Sequence, residues 1–305
     1  MEALTLLWLV APMEWFLADV WGTALDAVAG ATGVRVLGFP FMQRAYLAAV
    51  CIAVIGPLVG SFLVHREMAM IGDTLAHSAF AGVAVGLFVN ATLALSVSPL
   101  LTALVVAVLA ALLVQALIDY AGAYTDTSLA IVLTGAFAVG SVLVTATDGG
   151  IAVGINAYLF GSLATVSRAS TGLLLAMSVL VTAVVTVAYR PLAYVTFDEV
   201  GARAAGLDVG RYNRLLVVLT AVVVVGSMQI MGVILVAAML VVPVAAATAV
   251  SGFRRSVVAA VLVGQAATLT GTTLSYSYDI AAGGTIALVA VALFVAARVL
   301  FLGVR

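Results

Sequence analysis

Ala45-Tyr46-Leu47-Ala48-Ala49-Val50-Cys51-Ile52-Ala53-Val54-Ile55-Gly56-Pro57-Leu58-Val59-Gly60-Ser61-Phe62-Leu63-Val64 runs about twenty residues without a formal charge, the length a helix needs to cross the ~30 Å hydrocarbon layer of a bilayer. Comparable runs recur at 74–90, 98–118, 128–147, 170–189, 211–227, 232–250, 256–275 and 283–302. Over the 305 residues, 65% are hydrophobic and only 8% charged, whereas soluble domains carry about 25% Asp, Glu, Lys and Arg. Mean hydropathy is +1.31. Those values exclude an ordinary globular enzyme, a nucleic-acid binder and a disordered chain. The sequence predicts an all-α, polytopic helical membrane protein with about 8–9 transmembrane helices and no second, soluble domain.

Charge is nearly balanced, with 12 basic against 13 acidic residues, and says nothing about partners. Every basic residue is arginine. A Walker-type phosphate loop needs Gly-x-x-x-x-Gly-Lys, so with no lysine any energy from ATP has to arrive from a partner chain. The single cysteine, Cys51, lies inside an apolar run, which excludes an intrachain disulfide and a thiolate metal cluster.

Two segments do not read as plain spans. Residues 4–21 are interrupted by Pro12, Glu14 and Asp19 and read as an interfacial helix with Trp8, Trp15 and Trp21 near the headgroups. No basic region precedes them, which argues against a cleaved signal peptide. Residues 151–163 are short and punctuated by glycine. The most polar segment runs from Arg190 to Arg214, with Arg203, Arg211, Asp198, Glu199 and Asp208 between. The positive-inside bias places it in the cytoplasm, and the following spans then bring Arg254, Arg255 and Arg305 to the same side. In the N-terminal half Arg44 and Arg66 bracket the first span and oppose each other, so its orientation is open.

An ionisable residue inside a span costs roughly 2.5–3.5 kcal/mol on insertion scales. The candidate is Met70-Ile71-Gly72-Asp73-Thr74-Leu75-Ala76-His77-Ser78-Ala79-Phe80. Asp73 and His77 are one helical turn apart, with Cβ atoms about 5–6 Å from each other. A carboxylate and an imidazole at that spacing can hold one divalent cation, and the mixed donor set suits zinc, manganese or iron(II). With Asp73 at zero, His77 lies near ~40°, on the side of Phe80 and Ala84, while Ser78, Gly82 and Gly86 fall at ~140°, ~180° and ~220°. The second group is a small-residue stripe that admits a neighbouring backbone. The plainer alternative is that Asp73 and His77 satisfy each other, or that Asp73 caps the helix. His65 reads as a hydrated interface residue. The stretch from Asp119 to Asp126 reads as an ordinary loop or an ion-attracting mouth, and Gly56-Pro57 and Pro243 as kinks.

In the polar segment, Val195-Thr196-Phe197-Asp198-Glu199-Val200-Gly201-Ala202-Arg203-Ala204-Ala205-Gly206-Leu207 is a short helix opened by acids and stopped by Gly206. It is either a solvated connection or a stiff element that a cytoplasmic partner grips.

At these residues the chain resembles the permease subunit of zinc/manganese-type ABC importers. Phe41-Met42-Gln43-Arg44-Ala45 is similar to that family's approach to its first span. Gly60-Ser61-Phe62-Leu63-Val64-His65-Arg66-Glu67-Met68-Ala69-Met70-Ile71-Gly72-Asp73-Thr74-Leu75-Ala76-His77 resembles its most recognisable stretch. Phe197-Asp198-Glu199 with Ala204-Ala205-Gly206-Leu207 looks like its coupling segment. Met231-Gly232-Val233-Ile234-Leu235-Val236, Val242-Pro243 and Ala247-Thr248-Ala249 resemble the span that follows, and Gly283-Gly284-Thr285-Ile286 the start of its last span. The likeness runs in order from about residue 40 to the end. Two departures are the longer N-terminus and His65-Arg66-Glu67, which stands where the family is more basic.

The resemblance implies a permease of the cobalamin/metal-chelate architecture, with residues 1–40 as an interfacial or extra helix and 41–305 as one transmembrane domain carrying a cytoplasmic coupling loop at 190–214. It implies a multi-pass protein of a prokaryotic cell membrane, paired with a second copy of itself, two cytoplasmic ATPase subunits and an extracytoplasmic metal-binding protein. Asp73 and His77 then match the metal pair; Asp198, Glu199, Ala205 and Gly206 match the ATPase coupling segment. The divalent ion is cargo, with no permanent cofactor and no catalytic residue in this chain. The alternatives are a permease for cobalamin or iron-chelate import, and an ATP-independent secondary cation transporter using Asp73.

Overall fold

The structure is a computed structural model that describes residues 15–93, 95–122, 124–146, 158–159, 161 and 167–302. A π-helical turn at Phe16–Gly22 leads into α1 (Thr23–Thr32), and a 3-10 turn at Arg35–Gly38 precedes α2 (Pro40–His65). Then follow α3 (Ile71–Leu93), α4 (Pro99–Ala121), α5 (Thr125–Thr145), α6 (Arg168–Val187), α7 (Tyr189–Phe197) and α8 (Glu199–Ala204). The chain ends with α9 (Val209–Met231), α10 (Val233–Ala247), α11 (Phe253–Tyr278) and α12 (Ala282–Leu302). Among the described residues there is no strand, and 8 helices are long and apolar enough to cross a membrane. The expected run 232–250 is the exception: α10 stops at Ala247 and is too short for that set.

Helix ends follow local chemistry. Pro40 and Pro99 open α2 and α4, where a missing N–H loses nothing. Ser167 and Asp208 cap α6 and α9 by accepting from the amides of Ser170 (3.1 Å) and Arg211 (3.0 Å). Gly232, at φ +80°, separates α9 from α10 without a loop. Pro57 and Pro243 both lie inside helices.

The described arginines sort by end. Arg66, Arg190, Arg203, Arg211, Arg214, Arg254, Arg255 and Arg298 collect where α2 ends and α7 to α9 begin; Arg35, Arg44 and Arg168 lie at the opposite end. By the positive-inside bias the first end is the one expected in the cytoplasm; on that expectation α2 enters from outside, with Arg66 rather than Arg44 on the inner side. The turn between α4 and α5 lies at the same arginine-rich end, where Asp119 and Thr125 line a cavity with Arg66. Residues 151–163 lie outside the described residues except Tyr158, Leu159 and Gly161; α5 leaves and α6 returns at the same, outer end.

Helices α2, α3, α9 and α10 form the centre, with the others around them. Lipid offers no hydrophobic drive between helices, so contact rests on close packing at small residues. A Cβ on Gly60 would collide with the backbone oxygen of Leu240 in α10, and one on Gly82 would lie 2.5 Å from Ala103 Cα in α4.

Residues before α2 fold onto its outer end through Gln43. Its carboxamide nitrogen donates to Asp26 Oδ1 (2.7 Å) and the carbonyl of Leu37 (3.1 Å), and its own carbonyl accepts from Trp21 Nε1 (2.8 Å). Trp15 is exposed, and Trp8 lies outside the described residues.

Gly60→Val and Gly82→Val should each cost about 1–3 kcal/mol through overpacking and lower the thermal midpoint of the detergent-purified protein. Gly284→Ala, where a Cβ meets nothing within 4 Å, should not lower it.

Candidate metal site and coupling segment

Helix α3 starts on the cytoplasmic side, with Asp73 in its first turn. At 1.5 Å per residue Asp73 sits ~3 Å and His77 ~9 Å along the helix, within the cytoplasmic third of the span. His77 Nε2 lies 3.6 Å from Asp73 Oδ1, with side chains 30% and 44% exposed. That separation is within Coulombic reach but too long for a hydrogen bond. Asp73 is the third residue of the helix, not its cap, and its carboxylate accepts no hydrogen bond among the described residues. Both groups keep donor capacity facing an open side of α3.

One wall of that opening is aromatic. The His77 ring meets Phe137 of α5 edge-to-face at 5.4 Å, and Phe137 stacks on Phe80 at 5.9 Å. Gly140 makes room for the pair, since a Cβ there would lie 2.8 Å from Phe80 Cε1. The opposite face of α3 is packed: Ser78 is buried and donates back to the Thr74 carbonyl (2.8 Å), Gly82 meets Ala103, and Gly86 abuts Thr102 and Pro99 of α4. Among the described residues no cluster of three or more His, Cys, Asp or Glu could hold a metal ion. One chain thus offers a carboxylate and an imidazole, with the remaining coordination positions left to water or donors from elsewhere.

The expected coupling segment is a capped knob. Asp198 Oδ1 accepts from the Gly201 amide (2.7 Å) at the start of α8. After Ala205, Gly206 takes φ +82°, its amide bonds to the Arg203 carbonyl (3.0 Å), and Leu207 N donates to Ala202 O (3.0 Å). That is a left-handed helix stop, which glycine adopts without a Cβ penalty. Glu199 pairs with Arg203 at 2.7 Å on the exposed surface. Beneath α8, Val195, Ala202 and Val209 form a small buried cluster with Leu207 and Tyr212. Val200 and Phe197 point outward, 80% and 60% exposed.

Three polar residues gain roles that the sequence reading missed. Arg66 donates from Nε to Thr196 Oγ1 (2.9 Å), from Nη1 to Asn213 Oδ1 (2.6 Å) and from Nη2 to the Leu192 carbonyl (3.3 Å). Burial draws its pKa down from the ordinary arginine value, and the charge of Glu199 partly offsets that. A cavity of about 440 Å³ lies beside it, bounded by Gln115, Asp119 and Thr125 on one side and Thr196, Glu199 and Asn213 on the other. His65, half-buried at the end of α2, donates from Nδ1 to the Ser61 carbonyl (2.7 Å), and its ring packs edge-on against Phe197 and Phe253. Arg298, inside the last span, donates to Thr248 Oγ1 (3.0 Å) at the end of α10 and lies over Phe294. The acceptors of Arg66, the ring neighbours Phe197 and Phe253 of His65, and Thr248 all lie on or at the end of other helices, so no local spacing announces them.

The ABC 3 transport family matches residues 38–301 of the chain. The manganese transport system membrane protein MntC of Halalkalibacterium halodurans is 31% identical over 263 residues, covering 85% of this chain and 87% of that protein. The manganese import system permease protein ScaB of Streptococcus parasanguinis is 30% identical over 261 residues, covering 84% and 89%. Among solved structures, a chain of PsaBC from Streptococcus pneumoniae in complex with Fab superposes with a TM-score of 0.76 at 26% identity, covering 86% of this chain and 92% of that one.

Asp198→Ala removes the α8 cap at a cost of about 1 kcal/mol. Gly206→Ala forces a side chain into left-handed backbone at a similar cost of about 1 kcal/mol. Either substitution should accelerate amide exchange across 199–204 by roughly fivefold, read by mass spectrometry.

Proposed function

Because the chain belongs to the ABC 3 transport family, we propose that it is the membrane permease subunit of an ATP-driven importer of divalent transition metal ions. The observation that carries the reading is the Asp73–His77 pair: two partly exposed groups one turn apart at the start of a membrane span, 3.6 Å from each other and not hydrogen-bonded. The relatives named for manganese transport support the cargo class. Zinc, manganese and iron(II) all accept mixed nitrogen and oxygen ligands.

The protein is a multi-pass component of a prokaryotic cell membrane. With no lysine it has no Walker loop, so a separate cytoplasmic ATPase supplies the energy. An extracytoplasmic metal-binding protein delivers the ion at the outer end. Two copies of the chain face one path, and each contributes an Asp73–His77 pair; water fills what the ligands leave. Two ligands per chain hold an ion loosely, and a conducted ion must also be released. The exposed α8 helix, with Asp198, Glu199, Ala205 and Gly206, seats on the ATPase. ATP binding draws the two ATPase subunits together, the α8 helices move with them, and the spans rearrange to alternate access.

Asp73→Asn and His77→Ala should each lower metal uptake by about tenfold or more, as expected for loss of a ligand worth ~1.4 kcal/mol or more, while the ATPase still co-purifies. Uptake of radioactive manganese(II) into vesicles provides the measurement. Wild-type uptake in both variants would sink the metal assignment.

A further inference from the structure

We infer that Arg66 is the positioning residue that carries movement of the coupling helix α8 to the start of α3, and so to Asp73 and His77. This rests on the transporter reading above and deepens it.

Arg66 occupies the turn between α2 and α3, and only Glu67 to Met70 separate it from the first residue of α3. Its guanidinium reaches both helices that flank α8: Leu192 and Thr196 belong to α7, and Asn213 to the first turn or so of α9. The acceptors are neutral, and among the described residues no carboxylate lies within ion-pair distance of it. A half-buried cation held in this way gives up three charge-assisted hydrogen bonds if α7 and α9 move without it. It therefore follows them.

The turn itself transmits rather than absorbs that motion. Met68 N donates to Leu63 O (2.9 Å), and Ile71 N donates to Met68 O (3.1 Å), so the turn is bonded to the end of α2 and the beginning of α3. Glu67 is held at φ +59°, a left-handed conformation that a non-glycine residue adopts only when its surroundings impose it. On the other side of Arg66 the cavity separates α7 and α8 from the α4–α5 turn. The coupling segment thus has room to shift against Gln115, Asp119 and Thr125, while Arg66 stays attached to it. His65 adds an apolar tie at the same place through Phe197 and Phe253.

The test uses the complete complex, permease with its ATPase, reconstituted in liposomes, with manganese(II) uptake and ATP hydrolysis measured in the same vesicles. Arg66→Gln should raise the ATP hydrolysed per ion imported by about tenfold or more, the scale of losing hydrogen bonds to a charged group. Manganese(II) binding to the purified complex, read by electron paramagnetic resonance, and co-purification of the ATPase should stay at wild-type levels. Arg66→Lys keeps the charge without the planar fork and should fall between the two. Asn213→Leu and Thr196→Val should shift the ratio in the same direction, and adding Asn213→Leu to Arg66→Gln should change nothing further. An unchanged ratio in Arg66→Gln overturns the inference, as does a proportional loss of uptake, hydrolysis and metal binding, which would make Arg66 a structural staple. Failure of the metal assignment shows separately, as wild-type uptake in the Asp73 and His77 variants.

Discussion

The rotation of α3 about its own axis is set by how closely Gly82 and Gly86 let it approach α4, and the direction in which Asp73 and His77 point depends on that rotation. With side chains at these two positions α3 would stand off or turn, because the backbone of Ala103 and the side chain of Thr102 already fill the space. Fixing one face against α4 aims the opposite face, with Asp73 and His77, toward the side bounded by Phe137. In lipid this is the available way to fix orientation, since apolar side chains gain no more from protein than from acyl chains. A packing constraint with no chemistry of its own therefore decides where the chemistry points.

Much of this was legible in the sequence, for reasons that differ by element. The spans were visible because a bilayer imposes a length and a polarity on each helix: the run at 45–64 is flanked by Arg44 and His65, and the run at 98–118 ends at Asp119. The two faces of α3 were visible because helical periodicity converts spacing into direction. The helix at 199–204 showed its cap and its stop, as Asp198 and Gly206. What stayed hidden was long-range. Arg66 finds its partners at 192, 196 and 213, and a single arginine beside a span is indistinguishable from an ordinary flanking charge. The ring contacts of His65 stayed hidden for the same reason: its neighbours Phe197 and Phe253 come from distant helices. The length of α10 was overestimated because the apolar run continues past Ala247, where the helix ends.

Charge placement gives the bundle its polarity. The cytoplasmic end holds eight of the described arginines, several with specific partners: Arg66 on α7 and α9, Arg203 on Glu199, Arg298 on the end of α10. Arg298 sits where α10 exposes its last carbonyls, a position at which a cation complements the helix dipole. These contacts fasten the ends of helices and leave the apolar mid-sections free of ionic links, so the bundle is stitched at its rim.

The segment ahead of α2 is held at several points: the Gln43 amide, the packing of Phe16 and Trp21 on the core, and Phe39 against Tyr276 of α11. The amide of Gln43 gathers Asp26 and Leu37, while its backbone holds Trp21, and the family match begins only at residue 38. It is an accessory to the matched region, fastened by both polar and apolar contacts. Removing the Gln43 amide would loosen that fastening without undoing it, because the Trp21 bond ends on the backbone and the apolar contacts of Phe16 and Phe39 stay in place.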